Sequence, residues 1–134
     1  MEGQKKILGF VLKEDQRKAL LALCGSGNAV FEEIQEKDFR KTLGFLAKIV
    51  GFPAKPPVHV QGNAACAVSE PMIVFSGFEQ EELQGFLARL RQIQADPVNL
   101  KAMMTMHNIF WTPEMLQKEL KEEHAAMKRY SAET

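Results

Sequence analysis

Two short stretches hold the residues best suited to chemistry. One is "KAMMTMHN", where Lys101, Thr105, His107 and Asn108 offer an ammonium, a hydroxyl, an imidazole and a carboxamide at the carboxyl end of a strand. In open sheets ligands collect at that end, in the crevice outside the strands. The other is "VFSGFEQEE", a strand running through a glycine turn into a helix. Such a junction aims backbone N–H groups into open space and attracts an anion. If the third and fourth strands are neighbours, the two stretches meet. Ser76, Gly77, Lys101, Thr105, His107 and Asn108 therefore form the candidate ligand-binding set. None of them is assigned a catalytic role, because the sequence shows no convergent acid–base pair.

A structural explanation competes at each place. Ser76-x-x-Glu79 has the form of a capping box, and Glu81 and Glu82 put negative charge where a phosphate would sit. In "WTPEML", Thr112 is a helix N-cap and Pro113 stands at the first helical position, where its missing N–H costs nothing. Trp111 and Leu116 then occupy the two positions of a hydrophobic staple. Trp111, Thr112, Pro113 and Leu116 are thus structural residues. The polar "TMHN" is what this scheme leaves over.

Other chemistries lack their signatures. His59, His107 and His124 have no ligand spacing to one another or to a cysteine, and His124 reads as a packing residue on the last helix. Cys24 and Cys66 fit no metal or redox pattern. "CGSGNA" lacks the lysine of a phosphate loop and the third glycine of a dinucleotide fingerprint. No nucleophile elbow occurs. Lys37, Arg40, Lys41 and Lys48 are offset by nearby carboxylates, and the formal net charge is zero, so nothing draws the chain to nucleic acid. No cofactor and no metal are expected.

The elements that must position these residues follow from periodicity. "KKILGFVL" reads as a buried strand, and "EDQRKALLALCGSG" as a helix ended by Gly25. "NAVFEEI" is a strand, and "DFRKTLGFLAKIV" a helix capped by Asp38, with Phe39, Leu43, Leu46 and Val50 on one side. The order then repeats. "PMIVFSG" is a strand, "EQEELQGFLARLRQIQ" a helix, "VNLKAMMT" a strand and "TPEMLQKELKEEHAAMKRY" a helix. A slide of 66 places sets Ile7 on Ile73, Leu8 on Val74, Leu12 on Phe78 and Leu20 on Phe86. A duplication explains this, and so does the common grammar of βαβ units.

The expected architecture is one α+β domain over residues 1–134. It has duplicated βαβ units, a ferredoxin-like four-stranded sheet with helices mainly on one face, and two additional helices; an α/β doubly wound sheet is the alternative. A flexible loop is expected at about 52–70, where prolines and small residues break all periodicity. No apolar run is long enough to span a bilayer, and Ile7 to Leu12 is too short for a signal peptide, so the chain reads as cytoplasmic.

"IVFSGF" at Ile73 to Phe78 and "LKAMMTMHNIFWT" at Leu100 to Thr112, followed by an acidic helix, resemble a bacterial family known as domain of unknown function 3783. "TLGFLAKIVGF" also resembles a segment that precedes that family's variable linker. The chain departs from the family pattern at Met106 and His107, where proline and a small polar residue are expected, and at Phe110. The family carries no activity to transfer. Two functions remain from the residues. The first is a non-enzymatic module binding a partner protein or small ligand, with self-association as a homodimer. The second is an enzyme or small-molecule sensor with a site between the 76–78 turn and the 105–108 strand end.

Overall fold

The computed structural model describes residues 5–26, 29–39, 41–49, 68–93, 98, 100–106 and 108–133. In chain order they form β1 (Lys5–Phe10), α1 (Glu14–Ser26), β2 (Ala29–Ile34), a 3-10 turn (Glu36–Asp38) and α2 (Leu43–Leu46). The second half gives β3 (Met72–Ser76), α3 (Gln80–Ile93), β4 (Leu100–Met103) and α4 (Pro113–Glu133). The class is α+β, with one four-stranded mixed sheet in the order β2-β1-β3-β4.

Each βαβ unit keeps its own parallel pair, β1 with β2 and β3 with β4, and the units meet through antiparallel β1 and β3. This departs from a ferredoxin-like sheet, in which each βαβ is split and the outer strands change sides. It also departs from a doubly wound parallel sheet, because the central pair is antiparallel. Periodicity identifies strands but not which neighbour a strand takes, so the sequence left that choice open.

The helices are shared between the two faces rather than gathered on one. Ile7, Ile73 and Phe75 point to the side where Leu20 and Cys24 of α1 meet Leu83, Phe86 and Leu90 of α3. The rings of Phe75, Phe78 and Phe86 stack edge to face there, with centroids 5.4–5.8 Å apart. Leu8, Phe10, Met72, Val74 and Leu100 point the other way, under Phe39, Leu43 and Leu46 and under Leu116 of α4. The strict inside–outside alternation of a one-sided sheet is absent from β1 and β3 because both faces are covered.

The 66-place repeat is visible in the caps. The Lys13 N–H donates to Gln16 Oε1 at 2.9 Å to start α1, and the Glu79 N–H donates to Glu82 Oε1 at 3.0 Å to start α3. The caps of the trailing helices match as well, at a spacing of 70. The Phe45 N–H donates to Thr42 Oγ1 at 3.2 Å and the Met115 N–H to Thr112 Oγ1 at 3.3 Å. The change of spacing falls between helix and second strand: Lys6 pairs with Val30, whereas Met72 pairs with Leu100.

Several local expectations are corrected. Helix α1 runs through Gly25 to Ser26. The expected helix from Asp38 is broken into the 3-10 turn and the one-turn α2, capped by Thr42 and not by Asp38. Thr42 competes better because its hydroxyl reaches the Phe45 amide, whereas Asp38 is already inside the turn. Val50 and residues 52–67 of the expected loop lie outside the described residues. Its last residues, Ser69 and Glu70, are held by Gln117 of α4.

A candidate binding cleft and the two sequence-marked turns

The 76–78 turn and the 105–108 turn lie at the same end of the sheet. Phe75 is paired with Met103, and the Met104 N–H donates to Phe75 O at 2.7 Å just beyond the last pair. Ser76 closes β3 half-buried, and Gly77 follows at φ 82°, in the left-handed region that favours glycine. Ser76 is not the helix cap. The cap is Glu79, closed by Glu82, three residues further along. Glu82 also pairs with Lys5, and these two hydrogen bonds, the one from Lys5 foremost, hold its carboxyl below the ordinary range.

Thr105 and Asn108 are engaged with each other. The Thr105 N–H donates to Asn108 Oδ1 at 2.9 Å, and the Asn108 N–H donates to Thr105 Oγ1 at 3.3 Å. Asn108 Nδ2 donates back to Met103 O at 3.1 Å, and the whole residue is buried. This reciprocal pair turns the chain from β4 toward α4, so Thr105 and Asn108, two of the polar residues that the cap and staple left over, are used in the turn. Lys101 is elsewhere. Its ammonium donates to Val98 O at 2.7 Å at the amino end of β4, and burial, with Arg91 second, lowers its pKa from the usual lysine value. His107 lies outside the described residues, as do His59 and Cys66.

The turn also serves the first half of the chain. The Leu43 N–H donates to Trp111 O at 2.8 Å and the Gly44 N–H to Ile109 O at 3.0 Å. The first amides of α2 are thus satisfied by carbonyls from the other unit, which a single helical turn needs. Thr112 caps α4 as expected, and Trp111 and Leu116 both join the apolar cluster beneath it. His124 does not pack: α4 is exposed from Glu122 to Met127, with Met127 71% exposed.

The sequence reading missed Gln117. It is buried; its Oε1 accepts from the Ser69 and Glu70 N–H groups at 2.8 and 3.1 Å, and its Nε2 donates to Glu70 O at 2.9 Å. A glutamine on the apolar side of a helix, next to Leu116, was the available signal.

The larger described cleft was also missed. It measures about 440 Å³ and lies along edge strand β2, floored by Ile34, Phe45, Leu46 and Ile49. Its rim charges are paired with one another, Lys41 to Asp38 at 2.7 Å and Lys48 to Glu32 at 3.6 Å. Phe45 and Ile49 are 39% and 37% exposed. A second, more polar cleft of about 280 Å³ lies between α1 and α3, over Phe78 and Phe86, with Lys5, Glu82 and Arg89 at its mouth. Among the described residues, no group of three or more His, Cys, Asp or Glu is placed to hold a metal, and no helix is long and apolar enough to cross a membrane.

These features define an α+β domain of two joined βαβ-plus-helix units with an apolar-floored surface cleft. Residues 71–127, the second unit, match the family described as domain of unknown function (DUF3783). "TLGFLAKIVGF" falls outside the matched stretch. No curated protein and no solved structure matches the chain.

Proposed function

We propose that the protein is a non-catalytic cytoplasmic module that binds a partner through the cleft along β2. The observation that carries this reading is the cleft's composition: an apolar floor of Ile34, Phe45, Leu46 and Ile49 inside a rim whose carboxylates and ammoniums neutralise one another. Such a site gains from desolvation and leaves no rim charge seeking a counterion. A site between the 76–78 and 105–108 turns is less favoured, because Thr105 and Asn108 already satisfy each other. A second copy of the chain would cover Phe45 and Ile49 equally well, so a homodimer is one form of the same reading.

Titration of the intact chain with 8-anilinonaphthalene-1-sulfonate at neutral pH tests it. The expected result is a saturable rise in emission that Phe45→Glu removes while leaving the far-UV circular dichroism unchanged. Equal emission from the variant and the unaltered chain would sink the proposal. Light scattering across micromolar concentrations then separates the homodimer from a monomer awaiting another partner.

A further inference from the structure

The cleft has a counterpart in the second unit, and the comparison indicates what fits it. Thr42 and Thr112 cap α2 and α4 in the same way. The residue before the cap is Lys41 in one unit and Trp111 in the other. Each donates its backbone N–H to the carbonyl three residues back, Lys41 to Asp38 at 3.1 Å and Trp111 to Asn108 at 2.9 Å. Four residues after the cap stand Leu46 and Leu116, both buried. In the second unit Trp111 and Leu116 are the two apolar halves of a hydrophobic staple. In the first unit Leu46 is present, but the facing position holds a lysine. Its ammonium is bound by Asp38 and lies 5.5 Å from the centre of the Phe45 ring. Lys41 therefore borders the space without filling it, and the cleft is the seat of a staple whose large apolar half is missing.

We infer that this cleft receives a large aromatic side chain, tryptophan foremost, presented by a partner protein. The inference rests on the binding reading above and adds the occupant. A tryptophan is the group that the chain itself uses at the equivalent position, and an indole buries roughly 150–250 Å² on docking. Buried aromatic anchors of this kind dominate protein interfaces. The paired rim favours a neutral group over a charged one. The Lys41 ammonium, already over one aromatic ring, is placed to lie over the face of a second.

The test uses the intact, nitrogen-15-labelled chain and three probes: N-acetyl-tryptophanamide, N-acetyl-leucinamide and free tryptophan. The capped tryptophan should shift the amides of Ile34, Phe45 and Ile49 saturably, in the millimolar range, and the capped leucine at least about fivefold more weakly. Free tryptophan, whose charges the neutral rim does not accommodate, should also be weaker than the capped form. Lys41→Trp should fill the cleft from within, abolishing the probe shifts and raising the melting temperature. Equal binding of leucinamide would overturn the aromatic anchor and leave the binding module standing. Tighter binding of free tryptophan would replace the protein partner with a small molecule. No shift at the cleft with any probe would overturn this inference. The dye titration judges the binding module separately.

Discussion

Leu8 of β1 stands directly opposite Val74 of β3, the residue 66 places further along the chain. The antiparallel register therefore runs symmetrically about this pair: Gly9 faces Ile73, and Ile7 faces Phe75. A local two-fold axis passes between Leu8 and Val74, relating β1 to β3 and, through matched caps, α1 to α3. Matching cap geometry at four helix starts is more than βαβ grammar requires, which favours duplication as the origin of the repeat.

The symmetry is broken where Gly9 corresponds to Phe75. In the second unit Phe75 fills the space with its own ring; in the first, Leu12 and Phe31 close over the glycine. A methyl group built on Gly9 would come within 2.5 Å of Leu12 Cδ1 and 2.9 Å of Phe31 Cε1. Gly9→Ala should therefore cost about 1–3 kcal/mol through overpacking, despite alanine's smaller backbone entropy cost. Urea denaturation checks this, and a variant as stable as the original would show that Leu12 yields freely.

Gln117→Leu keeps the side chain's bulk but leaves the Ser69 and Glu70 amides and the Glu70 carbonyl without their partner. The expected loss is about 1–3 kcal/mol, because Ser69 and Glu70 are exposed and water replaces part of what Gln117 supplied. Hydrogen exchange at Ser69 and Glu70 should accelerate more than exchange in α1. Uniform acceleration would mean that Gln117 only fills volume.

Much of the fold was legible in the sequence, and the exceptions have physical causes. Strand and helix positions in β1, α1, β3, α3 and α4 follow from periodicity, and the Thr112 cap follows from local chemistry. Strand order did not follow, because residues 7–10 of β1 and 72–75 of β3 are buried on both faces and carry no mark of their neighbours. Helix α2 was read too long because its apolar spacing already begins at Phe39, which ends the 3-10 turn, while its first N–H groups are satisfied by the carbonyls of Trp111 and Ile109, about 65 residues away. The cleft was illegible for a related reason. Phe45 looks like an ordinary exposed residue until β2 is placed beside it.

Thr105 and Asn108 offer a direct comparison of structural and ligand-binding roles. Asn108→Ala removes an acceptor for the Thr105 amide and a donor to Met103 O, and should cost about 1–2 kcal/mol. Because the two residues close one turn, Thr105→Ala and the double variant should show a coupling of at least about 0.5 kcal/mol in a double-mutant cycle. Strict additivity would indicate that the two hydrogen bonds do not act together and would return both residues to the pool of ligand contacts.

Cys24 provides a pH signature of the packing between α1 and α3. It is buried and free, and burial pushes its thiol up from 9.0 to about 11. The folded state thus holds the proton where the unfolded chain releases it. Stability from this group is complete below about pH 9 and falls as the pH rises toward 11, by about 2 kcal/mol at the upper end. Cys24→Ala removes the titration at the cost of a small cavity, so its stability should start lower and decline less over that range. Chemical denaturation at intervals from pH 8 to 11 (with reductant present) gives the two slopes. Parallel slopes would show that the thiol meets water in the folded protein. The same burial predicts that a thiol reagent modifies Cys24 at the rate of local opening, so Gly9→Ala, which loosens the shared core around Leu12, should speed that modification.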